Sequence, residues 1–327
     1  MSVGVLPVGD AGAPVADRAR GAAAPFLSRC RFPDASSGPV SLAVSGGPDS
    51  VALMILARAA GLQGTVIHVD HGLRPGSAAE APAVAAMAAS LGFGFECRRV
   101  RVGPGGDLEA RARRARYQAL PAGVLTGHTM DDQAETVLLN VLRGAALDGL
   151  SGMRPGAGAS GRGPAVGRPL LDLRRRETAG ICTEAGFQPI QDPTNTDPRF
   201  RRNRIRTEVL PLLGDIAGRD LVPVLARQAE LAAADVELLD ELASAVDPVD
   251  VRSLRAAPPA LARRALRSWL RSPRAGGGPE AHPPSSAELG RVMQVVDGTR
   301  RACQITGGRR VSRRAGRLTL SVDGGDA

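Results

Sequence analysis

The sequence predicts an α/β protein in which a doubly wound parallel sheet is followed by a smaller helical and α+β C-terminal region. From residue 40 to residue 143, short apolar segments alternate with longer segments of helical periodicity. Strands that alternate with helices in this way form parallel sheets. After about residue 220 the alternation is lost. A helix-rich stretch is followed over residues 301–322 by short alternating segments, which are typical of hairpins.

The elements of the first region are predicted in order along the chain. An apolar strand at 40–44 leads through a loop into a helix at 50–60, and a second strand follows at 65–70. This arrangement is a βαβ unit. Two further strands and three further helices complete the pattern, and apolar residues repeat at helical spacing in the last helix. These elements are a helix at 77–92, a strand at 93–102, a helix at 108–120, a strand at 123–126 and a helix at 131–143.

The charge balance favours a polyanionic partner. All 42 basic residues are arginine, and with 33 acidic residues they leave a formal charge of +9. A genomic preference for Arg, Ala and Gly codons would raise the arginine content equally well, so composition alone leaves both interpretations open.

The cysteines are Cys30, Cys97, Cys182 and Cys303, and they form no CxxC pair. This spacing favours neither a zinc site nor an iron–sulfur cluster.

We expect a cytoplasmic protein. No apolar stretch reaches the ~18 residues that a membrane-spanning helix needs, and the first residues do not resemble a secretion signal. A reduced compartment fits the isolated cysteines.

The hexapeptide Ser45-Gly46-Gly47-Pro48-Asp49-Ser50 separates the first predicted strand from the first helix. Two glycines expose backbone N–H groups, and the start of a helix attracts anions, so this loop predicts a phosphate site. It is not a Walker loop, because that motif requires a lysine.

Polar side chains follow the next strands, at the edge where ligands bind in open α/β sheets. His68 and His71 flank Asp70, and they either contact adenine or ribose or satisfy backbone groups in a turn. Arg113 and Arg116 share one helix face beside Tyr117, where they could hold a phosphate or remain solvated.

A second acidic motif runs from Gly127 and His128 to Thr136 and reads GHTMDDQAET. Asp131 could cap the helix that starts there. Asp132, Gln133 and Glu135 add polar groups suited to Mg²⁺ or to an incoming amine. The Gly-rich segment 154–168 is predicted to be a mobile loop.

Taken together, these motifs resemble the tRNA(Ile)-lysidine synthase family of PP-loop enzymes, the N-type ATP pyrophosphatases. The resemblance spans residues 40–215 and weakens beyond them. It rests on SGGPDS and GHTMDDQAET, with HVDHGLR, ARRARY, the RPLL at 168–171, the DPTN at 192–195 and the RRNRIR at 201–206. It implies a PP-loop catalytic domain at 39–215 and a tRNA-binding region at 220–327. Residues 1–38, which are rich in Ala, Gly and Pro, are predicted from their composition to form a flexible N-terminal arm with a short helix near residues 15–28.

The resemblance also implies an activity. The enzyme would adenylate carbon 2 of the wobble cytidine of tRNA(Ile), which carries a CAU anticodon, and free L-lysine would then displace AMP. ATP and Mg²⁺ would be required, and a homodimer is possible. Asp49, Arg113 and Asp132 would be catalytic, residues 45–50 would bind ATP, and His128, Asn203 and Arg206 would contact substrate. Asp132 would receive the lysine amine or hold Mg²⁺.

Two alternatives to this activity stay open at this point. A tRNA thiolase of PP-loop type would need cysteines that carry sulfur or hold a cluster, and the isolated cysteines argue against it. A catalytically idle RNA-binding protein would not need the intact SGGPDS and DDQAET motifs.

Overall fold

The structure is a computed structural model, and it describes residues 14–70, 72, 79–101, 103, 108–156, 166–191, 197–272 and 284–322. The chain divides into two compact units, Met1–Leu231 and Ala232–Ala327. The boundary lies downstream of the predicted division at 215–220. Within the described ranges, no helix is both long enough and apolar enough to cross a bilayer.

The first unit is built on a five-stranded parallel sheet with the order β3-β2-β1-β4-β5. Its strands are β1 (Val40–Ala43), β2 (Gly64–Asp70), β3 (Gly94–Arg99), β4 (Val124–Thr126) and β5 (Val166–Gly167). The chain progresses outward from β1 to β3 on one side and from β4 to β5 on the other. The carboxyl ends of β1 and β4 therefore meet where the strand order reverses, which is the usual ligand site of such sheets.

Helices connect these strands and pack on them. Residues 50–57 of the first connecting helix are all buried, so this helix lies at the centre of the core. The helices of the first unit are α1 (Val15–Ala23), α2 (Pro48–Ala59), α3 (Glu80–Ser90), α4 (Leu108–Gln118), α5 (Met130–Leu142), α6 (Leu147–Leu150), α7 (Arg175–Glu184), α8 (Arg201–Arg204) and α9 (Leu210–Ala217); a π-helical turn at Ile205–Val209 links α8 to α9. The predicted α/β class is confirmed.

The N-terminal segment contains the short helix predicted near residues 15–28, but this helix packs into the core and is not part of a loose arm. Ala19, Ala22 and Ala23 of α1 are buried in the same core as α2, and 3₁₀ turns follow at Ala24–Arg29 and Ala35–Ser37. The side chain of Arg29 donates to both carboxylate oxygens of Glu177. Alanine gives little sequence signal, but its small side chain allows two helices to approach closely. Residues 15–37 are therefore part of the first unit.

The second unit has its own hydrophobic core. Helix α10 (Val222–Ser244) contains the boundary between the units, and α11 (Val251–Ala256), α12 (Pro259–Arg271) and α13 (Ser286–Asp297) follow. Strands β6 (Ala302–Ile305), β7 (Arg309–Arg314) and β8 (Arg317–Val322) form an antiparallel sheet, as the alternating pattern predicts. Leu266, Val292 and Val311 are fully buried between the helices and this sheet.

Some predicted features lie outside the described residues. They are His71 with most of the HGLR segment, the DPTN motif at 192–195, and the part of the Gly-rich segment at 157–165.

Candidate functional site

The hexapeptide connects β1 to α2 at the point where the strand order reverses. Gly46 has a φ of 91°, a conformation that L side chains rarely adopt, and a Cβ there would lie 2.5 Å from Cδ1 of Ile190. The hydroxyl of Ser50 donates to the carbonyl of Gly47 at 2.9 Å and lies 3.3 Å from the hydroxyl of Ser45. The loop therefore has a fixed shape at the start of a twelve-residue helix, where backbone N–H groups attract phosphate.

Asp49 lies in the first turn of α2 and is partly buried. Its carboxylate accepts a short hydrogen bond from the hydroxyl of Thr178, and Nε of Arg175 lies 3.5 Å away. Burial and the negative charge of Asp132 raise the pKa of Asp49 to about 6, although Thr178 and Arg175 act in the opposite direction. Thr178 and Arg175 therefore compensate only part of the negative charge of Asp49.

Gly127 brings the loop after β4 against the start of α2. A Cβ at this position would lie 2.4 Å from the carbonyl oxygen of Asp49 and 3.0 Å from the backbone nitrogen of Ser50. No side chain fits in that space, so the glycine is needed for close backbone approach rather than for an unusual φ. The GHTMDDQAET motif is thereby fixed beside the phosphate-binding loop.

The start of α5 is capped differently from the prediction. Thr129 is the N-cap, and its backbone N–H donates to Oδ2 of Asp132 at 2.9 Å. Asp131, the expected cap, instead accepts hydrogen bonds from the side chain of Arg174 and from the backbone N–H of Arg175 at 2.8 Å. Asp131 therefore ties the start of α7 to the start of α5.

Glu135 is a fully buried carboxylate held by three arginines. Its Oε1 accepts from Arg175 at 3.0 Å and from Arg206 at 2.8 Å. Its Oε2 accepts from Arg202 at 2.7 Å and from Arg206 at 3.3 Å. A buried charge requires such compensation, and one carboxylate here connects residues that are far apart in the sequence.

Asp132 shares two of those arginines. Its Oδ1 lies 3.0 Å from Arg175 and 3.0 Å from Arg202. Burial acts to raise the pKa of Asp132, but the positive charges of Arg202 and Arg175 outweigh burial and lower it below its ordinary value. The carboxylate is therefore ionised, and its oxygens are already engaged. Asp132 is poorly suited to accept a proton, contrary to the role that the sequence favours.

Positive charge accumulates on the side of α4 that faces this site. The guanidinium carbon of Arg113 lies 5.0 Å from the ring centroid of Tyr117, and that of Arg116 lies 5.8 Å from it. Burial and the charge of Arg113 lower the pKa of Arg116, and burial also lowers that of Arg168. Among the described residues, none of these three arginines forms an ion pair with a carboxylate, so the cluster is suited to an anion.

A cavity of about 360 Å³ opens beside the buried carboxylates in the first unit. Its lining combines acidic and basic side chains with apolar side chains from α9 and from the start of α10. The lining residues include Asp131, Glu135, Arg175, Arg206, Leu210 and Leu221. A small molecule that carries both charges and an aliphatic chain matches this lining.

The structure brings most of the predicted site residues to one place. The loop 45–50 lies beside Asp132, and Arg206 reaches the same cluster through Glu135. His128 lies close enough to Asp132 and Arg113 for the charges of both residues to affect the pKa of its ring. Asn203 differs, because it is buried and its side-chain amide donates to the backbone carbonyl of Asp197 at 2.9 Å. It therefore contributes to the local structure of the first unit.

The sequence does not identify how three central residues of the site pair. Arg202 lies within RRNRIR and Glu135 within GHTMDDQAET, but neither motif shows which charge each residue meets. Arg175 lies outside these motifs, in the RRRE segment at 174–177 ahead of an amphipathic helix. Charge pairs separated by 40 to 67 residues have no signature in a single sequence.

Comparison with known proteins agrees with both units. The family described as the PP-loop domain matches residues 26–213, and the family described as the TilS substrate binding domain matches residues 250–319. The first match contains the phosphate-binding loop and the arginine–carboxylate cluster. The second contains β6, β7 and the first half of β8.

Three curated relatives carry the name tRNA(Ile)-lysidine synthase. The protein from Salinispora tropica is 44% identical over 319 residues, which cover 88% of this chain and 92% of the relative. The protein from Nocardia farcinica is 46% identical over 248 residues, which cover 71% of this chain and 75% of the relative. The protein from Mycobacterium tuberculosis (strain H37Rv) is 44% identical over 246 residues, which cover 70% of this chain and 74% of the relative. This chain therefore belongs to the tRNA(Ile)-lysidine synthase family.

Proposed function

We propose that this protein joins free L-lysine to carbon 2 of the wobble cytidine in tRNA(Ile) with a CAU anticodon. ATP first adenylates the oxygen on that carbon and pyrophosphate leaves. The lysine ε-amine then displaces AMP and forms lysidine. The protein is accordingly an ATP-dependent ligase that forms a carbon–nitrogen bond. The names of the relatives and of the two family matches support this proposal.

One structural observation carries the proposal. The Gly-rich loop follows β1 where the strand order of the sheet reverses, and Arg113 and Arg168, which form no ion pair with a carboxylate among the described residues, lie around His128 after the neighbouring strand β4. The carbonyl oxygen of cytosine is a poor leaving group until it carries a phosphoryl group. Residues 45–50 bind the triphosphate of ATP through backbone N–H groups. Arg113 is the residue placed to stabilise negative charge on the reacting phosphate.

Mg²⁺ fits this site as a companion of the nucleotide. The described residues contain no cluster of three or more metal-ligating side chains. Mg²⁺ with nucleotides is commonly held by phosphate oxygens and one or two carboxylates. Asp49, which is only partly neutralised by Thr178 and Arg175, is the residue that would hold it. When bound, the ion neutralises phosphate charge.

The cavity beside Glu135 is the candidate site for lysine. Its carboxylates suit an ammonium group, Arg206 suits a carboxylate, and its apolar wall suits the four-carbon chain. The second unit, which contains the family match described as substrate binding, is the candidate region for tRNA.

A thiolase activity is not favoured by the cysteines. Cys182 is the cysteine whose Sγ approaches the loop, 3.4 Å from the carbonyl oxygen of Pro48. Burial raises its pKa to about 12, so the sulfur remains a protonated thiol. A thiol in this state is a weak nucleophile, and Cys182 is therefore unsuited to carry sulfur.

The test measures the two half-reactions separately. The purified protein, ATP and Mg²⁺ are mixed with transcripts of tRNA(Ile) and of methionine tRNA, with radiolabelled lysine present or absent. We expect pyrophosphate release and AMP formation with tRNA(Ile), and label in the tRNA only when lysine and ATP are both present. Formation of ADP and phosphate, or no label in tRNA(Ile), would contradict the proposal.

A further inference from the structure

Helix α7 presents one row of side chains to the start of α2. Arg175, Thr178 and Cys182 are spaced three and four residues apart, so they lie on one face of the helix. The hydroxyl of Thr178 donates to Oδ1 of Asp49, and Nε of Arg175 lies 3.5 Å from Oδ2. One turn further along, Sγ of Cys182 lies 3.4 Å from the carbonyl oxygen of Pro48. The helix that follows β5 therefore packs directly on the loop that follows β1.

The chain on either side of α7 is hydrogen-bonded to the same part of the first unit. Before the helix, the carbonyl of Leu173 accepts from the backbone N–H of Met130 at 2.8 Å. After the helix, the backbone N–H of Ile190 donates to the carbonyl of Gly46 at 2.9 Å. These bonds tie α7 to the loop after β4 and to the loop after β1. Backbone contacts therefore set the position of α7 relative to α2.

Thr178 is fully buried, and its hydroxyl lies within hydrogen-bonding distance of two oxygens. One belongs to the carboxylate of Asp49, and the other is the backbone carbonyl oxygen of Arg175, 2.8 Å away. A hydroxyl has one proton to donate, and an ionised carboxylate is a stronger acceptor than a neutral carbonyl. Thr178 therefore gives Asp49 a hydrogen-bond donor that is shielded from water.

The two carboxylate oxygens of Asp49 are held unequally. Oδ1 receives the hydroxyl of Thr178, whereas Oδ2 lies 3.5 Å from Arg175, beyond the usual N–H···O distance of about 2.7–3.2 Å. Arg175 is engaged more closely by Asp132 and Glu135, each at 3.0 Å. Oδ2 is therefore the oxygen of Asp49 left for an added cation, and the bond to Oδ1 fixes the direction in which Oδ2 points.

We propose that Thr178 is a positioning residue, whose hydroxyl fixes the carboxylate of Asp49 in the orientation in which Oδ2 holds the cation that accompanies ATP. This inference rests on the proposed function and assigns a residue to the binding of Mg²⁺ with the nucleotide. An unrestrained aspartate side chain rotates about two bonds, and a group that must first be ordered binds its ligand more weakly. The bond from Thr178 orders Asp49 before the nucleotide binds.

The main test measures ATP binding by titration calorimetry at pH 8 over a range of Mg²⁺ concentrations. Thr178→Val removes the hydroxyl and keeps the volume of the side chain. We expect the Mg²⁺ concentration for half-maximal ATP binding to rise about 10-fold or more, the scale of a lost hydrogen bond to a charged group. ATP affinity in EDTA depends on the backbone N–H groups of residues 45–50 and should stay unchanged.

Three further variants separate the hydroxyl of Thr178 from its packing. Thr178→Ser returns the hydroxyl and should restore the wild-type dependence on Mg²⁺. Thr178→Ala removes the hydroxyl without placing a methyl group against the carboxylate, and it decides the question if Thr178→Val does not fold. Thr183→Val is the matched control and should behave as the wild type, because Thr183 is exposed on the same helix and its hydroxyl donates to the carbonyl of Ala179.

A double-mutant cycle tests whether Thr178 acts through Asp49. Asp49→Asn removes the carboxylate, and ATP binding in this background should depend much less on Mg²⁺. Adding Thr178→Val should then change ATP affinity far less than it does in the wild-type protein. Losses that simply add would show that Thr178 serves packing alone, and they would overturn the proposal.

The remaining outcomes keep the two proposals apart. An unchanged dependence on Mg²⁺ in both Thr178→Val and Thr178→Ala, or no restoration by Thr178→Ser, would also overturn the role of Thr178. Absence of pyrophosphate release from a wild-type protein that binds ATP with Mg²⁺ would instead contradict the proposed function, and the measurements on Thr178 would still stand.

Discussion

Gly127 lies so close to Asp49 that a single added carbon would stand 2.4 Å from the Asp49 carbonyl oxygen. This contact joins the loop after β4 to the start of α2. It therefore transmits any displacement of the acidic motif to residues 45–50.

Gly127→Ala is expected to weaken ATP binding at least 10-fold, because backbone atoms cannot yield as the end of a side chain can. The cost of overpacking is about 1–3 kcal/mol. Titration calorimetry with ATP checks this result. Gly180→Ala on α7 is the control, since a Cβ there has no neighbour within 4 Å. Equal ATP affinities in the two variants would show that the contact has no consequence.

Glu135→Gln should destabilise the fold strongly. The change removes the fully buried charge that Arg175, Arg202 and Arg206 share and leaves these three partly buried cations close together. Breaking a buried pair costs about 3–5 kcal/mol, measured as the free energy of unfolding in urea. Glu208→Gln removes an exposed helical partner of Arg204 and should leave that free energy unchanged. A small effect at Glu135 would mean that its charge is dispensable.

Asp49 should make both stability and ATP binding depend on pH. Its folded-state pKa of about 6 lies above its ordinary value of 3.8. The stability that protonation provides is therefore present below about pH 4 and is lost as pH rises through 6. Asp49→Asn should lack this loss and should be more stable than the wild type at pH 8, by on the order of 2 kcal/mol.

The same variant should lose activity. We expect Asp49→Asn to abolish tRNA adenylation while tRNA binding survives. In the wild-type protein, ATP affinity in the presence of Mg²⁺ should fall as pH drops below 6, because the proton competes with the cation. Urea unfolding and ATP titration from pH 4.5 to 8 check both results. Parallel pH profiles for the variant and the wild type would contradict the assignment.

Asp132→Asn is expected to slow both half-reactions. The carboxylate holds Arg175 and Arg202 in place, so neutralising it releases two cations beside the nucleotide site. Pyrophosphate release and lysine transfer, measured separately, should each fall by about 10-fold or more. A selective loss of lysine transfer would identify Asp132 as the group that binds or deprotonates the lysine amine. Restoration of adenylation by extra Mg²⁺ would indicate a metal-binding role.

The outer face of β7 should contact RNA. Arg310 and Arg314 are exposed, whereas Val311 between them is fully buried, so the two arginines point away from the core. Changing both to alanine should weaken tRNA binding about 10-fold and lower the slope of log affinity against log salt by ~2. ATP binding should not change. Arg20→Ala with Arg227→Ala removes the same charge from exposed sites in the first unit and should have a smaller effect.

The local parts of this protein were determined by its sequence. The loop between β1 and α2 was predictable because a strand, a glycine-rich turn and a helix are adjacent in the chain, and their geometry depends on neighbouring residues. The parallel sheet was predictable for a similar reason, since alternation of strands and helices restricts the possible topologies. The C-terminal hairpins followed from alternation around Gly307–Gly308 and Ala315–Gly316, all of which have positive φ.

The tertiary structure decided which charges pair. Asp132 and Arg206 appeared in motifs, but the sequence does not show that Arg175 and Arg202 neutralise Asp132 and thereby lower its pKa. Nor does it show that the Thr126 hydroxyl contacts both the ring of His128 and the Gly167 carbonyl, which is 41 residues away. Side-chain ionisation depends on burial and on charges brought close by folding. A sequence therefore specifies the groups at a site, whereas their protonation states arise only from the folded arrangement.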